Sequence, residues 1–251
     1  MQKLPIGRQD FSIIRENDYL YIDKTKYIYE MIESGDINFL SRPRRFGKSL
    51  LVSTLEELFK GNKKLFEDLY IYDKWNWEEN YPIIKLDFGE ISHDSSSNLK
   101  LSLNKFLNNT ATKENIELED IDLLPDKFSE LINKLYNKTG KQLVVLIDEY
   151  DKPIIKHLDD IELAENNRDV LSSFYQVLKG NDKYLRFVFL TGVSKFSKTS
   201  LFSELNNLDD LTLDPTFVNI CGYSQEELES YFQEYLKEIS QNNNISKKIF
   251  T

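Results

Sequence analysis

A chain of 251 residues that is 40% hydrophobic and 13% aromatic is long enough to bury a sizeable core in one or two domains. Its formal net charge of −10 argues against a broad nucleic-acid surface, and one cysteine with two histidines excludes a disulfide framework and leaves no plausible zinc cluster. Met1-Gln-Lys-Leu-Pro5 lacks the apolar core of a signal peptide and no apolar run approaches the roughly 20 residues of a membrane span, so a soluble, cytoplasmic protein is expected.

In chain order, Pro5-Ile-Gly-Arg-Gln-Asp-Phe11 and Tyr21-Ile-Asp-Lys-Thr25 precede the first core strand. Tyr21 reads either as a core aromatic or as a ring that stacks on a base. Lys26 to Glu33 has the spacing of a short helix closed at Gly35. Ile37-Asn-Phe-Leu40 is an apolar strand, the turn Arg42-Pro-Arg-Arg-Phe-Gly-Lys-Ser49 follows, and Leu50 to Phe59 is helical with Gly61 as its stop. Ile83 to Phe88 is a second strand. Asn98 to Asn108 and Asp126 to Asn137 carry helical spacing, with Thr110 to Leu124 as an acidic surface connection. Gln142 to Ile147 is a run of the kind buried on both faces of a parallel sheet, and it ends in Asp148 and Glu149. A long helix from Ile161 to Lys179, a turn at Gly180-Asn-Asp182 and a strand from Leu185 into Thr191-Gly192 follow. Ser224-Gln-Glu-Glu227 is a capping-box pattern that starts a helix through about Ile239, and Gln241 to Ser246 is a polar tail expected to fray. Alternating strands and helices predict an α/β fold with a parallel sheet covered by helices on both faces.

The chemistry concentrates at three strand ends. A strand, a turn ending Gly-Lys-Ser and a helix is the context of a P-loop, in which backbone N–H groups and a helix N-terminus cradle phosphates. Arg44, Arg45, Phe46, Gly47, Lys48, Ser49 and Leu50 form the expected nucleotide-binding set, with Lys48 as the mobile charge and Ser49 as a magnesium ligand. Arg42 stands where the usual pattern has its first glycine, Pro43 cannot donate an N–H, and the basic run from Arg42 to Lys48 is assigned to phosphates. Asp148 fits the acid that holds magnesium beside Ser49, and Glu149 fits the base that orients the attacking water. Thr191 and Ser194 are candidates for sensing the γ-phosphate, and Lys195 or Lys198 for neutralising transition-state charge; an ordinary turn after a strand is the competing reading.

Together with Tyr21-Ile-Asp-Lys-Thr25, Asp148-Glu-Tyr-Asp-Lys-Pro153, Thr191-Gly-Val-Ser-Lys-Phe196, Leu213-Asp-Pro215 and Cys221-Gly-Tyr-Ser-Gln-Glu-Glu-Leu228, this turn resembles the AAA-ATPase-like family of bacterial predicted ATPases, within the broader AAA+/STAND P-loop group. The resemblance covers nearly the whole chain, and in that family the missing first glycine is normal. It implies a P-loop NTPase of the AAA+/ASCE type: a lead-in segment over 1–36, an ATPase core over 37–220 and the start of a small helical lid over 221–251. In that group the third strand is expected to insert beside the P-loop strand. Members commonly continue into a domain resembling the PD-(D/E)XK nucleases, for which this chain has no positions, so it reads as the ATPase portion.

Two functions stay open. One is a Mg-ATP hydrolase with slow basal turnover, driving or regulating a protein partner or a self-assembly, with an arginine finger supplied by a neighbour. The other is a nucleotide-dependent switch with little hydrolysis. Kinase activity is a distant third, because nothing marks an acceptor pocket. ATP is the default over GTP, since no Asn-Lys-x-Asp base-specificity motif is suitably placed.

Overall fold

The computed structural model describes residues 1–195, 201 and 208–243. Among the described residues five parallel strands, β1 (Ile37–Ser41), β2 (Ile83–Asp87), β3 (Leu143–Asp148), β4 (Leu185–Gly192) and β5 (Asp209–Asp210), form one sheet in the order β2-β3-β4-β1-β5. The strand beside the P-loop strand is therefore β4, the polar-tipped one, and the acidic strand β3 lies one place further out. This corrects the expectation that the third strand inserts there.

Helices cover both faces. On one lie α4 (Ser96–Lys113), α5 (Leu124–Thr139) and α7 (Ile161–Gly180), packed on Leu143, Val145 and Ile147 of β3 and on Val188 and Leu190 of β4. The opposite face buries Val144, Leu146, Phe187 and Phe189 under α1 (Phe11–Glu16), α2 (Thr25–Ser34) and α3 (Lys48–Phe59). Successive strand residues point to opposite faces, so a strand covered on both sides must be apolar throughout. All six residues of β3 are buried. A short helix α6 (Lys152–Ile155) follows β3, and α8 (Gln225–Tyr231) and α9 (Gln233–Asn243) end the described chain.

Local chemistry sets the boundaries. Ser95 caps α4 by accepting from Asn98 N, and the hydroxyls of Thr110 and Thr112 donate to carbonyls one turn back. The helix thus extends beyond the expected Asn108, and the acidic connection shrinks to 114–123. Asp10 caps α1, a helix absent from the sequence reading, which sinks Phe11 and Ile14 into the α3 core. The Ser224–Glu227 capping box is formed, but the expected single helix breaks at Phe232 into α8 and α9.

After β5 the chain runs back across the front of β1. Leu211, Phe217, Ile220 and Cys221 enter the same core as α1–α3. Residues 209–222 thereby strap the end of β1, the place from which the P-loop emerges.

Candidate functional site at the end of β1 and β3

The loop between β1 and α3 turns through two left-handed residues, Arg45 at φ 65° and Gly47 at φ 96°. Gly47 takes this conformation freely; Arg45 pays about 1 kcal/mol for it. The turn brings the N-terminus of α3 under the loop, so that the amides of Lys48, Ser49 and Leu50 belong to a first helical turn, whose N–H groups have no intrahelical acceptor.

Arg42 does not reach into the loop. Its guanidinium donates to the carbonyls of Ser41 (3.0 Å), Thr212 (2.9 Å) and Phe217 (3.2 Å), and so bolts the strap to β1. Its assignment to phosphate is corrected accordingly. Arg44 and Arg45 are exposed. The Phe46 ring lies over Gly222, where a Cβ would come within 2.7 Å of it, and Phe46 O accepts from Gly222 N at 3.0 Å.

Lys48 is buried, with its ammonium donating to the Arg42 and Pro43 carbonyls at 2.9 and 3.0 Å. Burial lowers its pKa from the usual lysine value, opposed by the charges of Asp148, Asp151 and Glu149. The Ser49 side chain lies beside the Asp148 carboxylate in the lining of one cleft. Asp148 is 3% exposed, and desolvation raises its pKa from the ordinary aspartate value, the nearby Ser49 hydroxyl working against this and the Asp87 charge adding to it. Asp87 is the register partner of Asp148 on β2. A cleft of about 350 Å³ opens here, lined by Ser49, Ser53, Lys85, Asp87, Glu90 and Asp148 among others.

Glu149 leaves the strand in a left-handed conformation (φ 53°), a strain of about 1–3 kcal/mol. Its carboxylate is ion-paired with Lys152 at 2.5 Å. Thr191 is fully buried and its hydroxyl donates to Leu40 O at 2.8 Å, so the group expected to sense phosphate is committed to the β1–β4 pair. Asp151, 1% exposed, accepts from the amides of Val193 and Ser194, and Lys195 is ion-paired with Asp210 at 2.9 Å. Phe196 and Lys198 lie outside the described residues, as does everything beyond Asn243. Tyr21 is buried with its ring edge-on to Phe11, 5.0 Å between centroids, which settles the choice between core and base stacking in favour of core.

The structure thus brings together Lys48, Ser49 and Asp148, with Glu149 adjacent. Sequence reasoning passed over Asp87, Lys152 and the structural task of Arg42. Asp87 was detectable in principle as a second acid ending an apolar run.

A parallel sheet in this order, with a Gly-Lys-Ser turn at the end of one strand and paired acids two strands away, defines a P-loop NTPase of the AAA type. The family model described as "Predicted AAA-ATPase" matches residues 5–202, and the chain belongs to that AAA-ATPase-like family. It is similar to the uncharacterized protein in the vnfD 5′ region of Azotobacter chroococcum mcd 1, at 43% identity over 232 residues. That match covers 92% of this chain but 45% of the relative, so the chain spans about half the relative's length. Two solved structures are similar at a lower level. They are Cdc6p from Pyrobaculum aerophilum (12% identity, TM-score 0.37, covering 85% of this chain and 46% of that one) and the Aeropyrum pernix ORC2 protein in ADPNP–ADP complexes (13%, 0.42, 87% and 49%). Neither likeness is close enough to bear on the assignment, which rests on sheet order and family. Among the described residues no helix is long and apolar enough to cross a membrane.

Proposed function

We propose that the chain binds Mg-ATP in the β1–α3 loop and hydrolyses it slowly. The observation that carries this is that Ser49 and Asp148 line one cleft side by side, which joins the Gly-Lys-Ser turn to the acidic strand end. Among the described residues no group of three or more His, Cys, Asp or Glu is arranged to hold a metal ion alone. A hydroxyl and a carboxylate are nevertheless the hard oxygen donors that suit magnesium, which takes few protein ligands and completes its shell with water and phosphate. Bound there, magnesium neutralises charge on the phosphate oxygens.

The chain's own residues supply the rest. The first-turn amides of α3 hold the phosphates. Lys48 exchanges its two carbonyl partners for phosphate oxygens, recovering charge stabilisation that burial denies it in the free protein. Asp148 orients the metal side, and Glu149 takes the proton of the attacking water. Arg44, Arg45 and Phe46 are exposed on the loop, within reach of ligand or of a protein partner.

A second reading, a nucleotide-dependent switch, is favoured by the Phe46–Gly222 contact. Rearrangement of the loop around phosphate shifts a ring that rests on the strap. Titration calorimetry with Mg-ATP is the first test: wild type binds and Lys48→Ala does not. Glu149→Gln then retains binding and loses turnover. A wild-type chain that binds no nucleotide refutes both readings, and Glu149→Gln turning over at the wild-type rate refutes the hydrolytic one.

A further inference from the structure

Glu149 is held in a conformation unsuited to the task assigned to it. The cleft beside Ser49 is lined by Asp87 and Asp148, while Glu149 does not line it. Its backbone turns off the strand at φ 53°, and its Oε2 lies 3.2 Å from where a Cβ would stand on Gly89, an approach eased by that residue's lack of a side chain. The same oxygen meets the Lys152 ammonium at 2.5 Å, one helical turn on. Asp87 fixes the other side by accepting from Gly89 N at 2.6 Å. A carboxylate held at 2.5 Å by an ammonium, and outside the cleft lining, is not placed to reach a water in that cleft.

We propose that Lys152 is a positioning residue that holds Glu149 back and so keeps basal hydrolysis low. This rests on the ATPase reading above. The pair is suited to a reversible hold: both side chains are partly exposed, 33% and 40%, so water screens the attraction and the contact breaks easily. It also explains why a base sits in a strained backbone conformation, since α6 begins at Lys152 and the turn at Glu149 is what carries the ammonium back over the carboxylate.

The test compares wild type, Lys152→Met and Lys152→Arg for ATP affinity by calorimetry, for kcat and KM by phosphate release, and for melting temperature. Lys152→Met is expected to raise kcat by up to about fivefold, the ceiling for a partly exposed ion pair, with affinity and melting temperature unchanged. Lys152→Arg, which keeps a cation at that reach, restores the low rate, and Lys152→Met placed in Glu149→Gln gains nothing. With ATP binding intact, a Lys152→Met kcat at or below the wild-type value overturns the latch alone. Absence of ATP binding in the wild type overturns the nucleotide site, and the latch falls with it.

Discussion

Replacing Arg42 with glycine would restore the usual P-loop pattern and, on this structure, damage the protein. The guanidinium makes two hydrogen bonds that cross from β1 to the strap, to Thr212 O at 2.9 Å and Phe217 O at 3.2 Å. Bonds from a charged donor contribute about 1.5–3 kcal/mol each, and the partial exposure of Arg42 puts these at the lower end. Glycine adds about 0.5–1 kcal/mol of backbone entropy to the unfolded chain. The expected loss is therefore about 3–4 kcal/mol, or roughly 10 °C in melting temperature for a chain of this size. Scanning calorimetry measures this directly, and Cys221 gives a second readout. It is the single cysteine, a buried residue of the strap itself, and burial pushes its thiol up to about 11, so it is inert toward thiol reagents in the wild type. In Arg42→Gly the strap loosens and Cys221 is labelled at neutral pH without denaturant. A variant that melts within about 2 °C of wild type, with Cys221 still protected, would refute the bracket.

Two further substitutions separate stability from chemistry. Because Asp148 has a raised pKa, the folded state binds its proton more readily than the unfolded state does, and its contribution to stability falls as pH rises from the ordinary carboxylate range through the raised folded value. Asp148→Asn is expected to flatten that part of the stability–pH curve, gain about 1 kcal/mol at pH 7 and lose magnesium-dependent ATP binding; denaturant titrations at several pH values check it. Thr191→Val is expected to cost about 1 kcal/mol through the lost Leu40 bond and to leave kcat within about twofold. A tenfold loss of turnover at unchanged affinity would return the phosphate-sensing role to its hydroxyl.

The contrast between β3 and Arg42 shows what the sequence made legible. An apolar run ending in Asp148-Glu149 carries its burial, strand type and chemistry within a few adjacent residues, and Gly47-Lys48-Ser49 does the same for a helix N-terminus. Arg42 was assigned to phosphate with the rest of its basic run because the carbonyls that employ it lie 170 and 175 positions away. Thr191 misled for a related reason: its neighbours suggest a loop tip, whereas register with β1 buries it against Leu40. Strand order was only partly legible, because periodicity reports which faces are covered and not which strand lies beside which. The six-residue α1 was too short for helical spacing to register. The break at Phe232 falls inside a segment whose pattern continues through it.

The sheet order also constrains how the molecule is made. β1 is finished early in synthesis, yet Leu40 and Thr191, which lie side by side in the sheet, are 151 positions apart. Its other neighbour, β5, emerges later still. At ordinary translation rates the Gly-Lys-Ser turn therefore waits roughly ten to thirty seconds beyond its own synthesis before either flank of its strand exists. Until β4 arrives nothing separates β1 from β3, and the Ser49–Asp148 contact has no frame to form on. Nascent chains that stop before Leu185 should accordingly hold no nucleotide, so that a truncated product cannot compete with the finished protein for ligand.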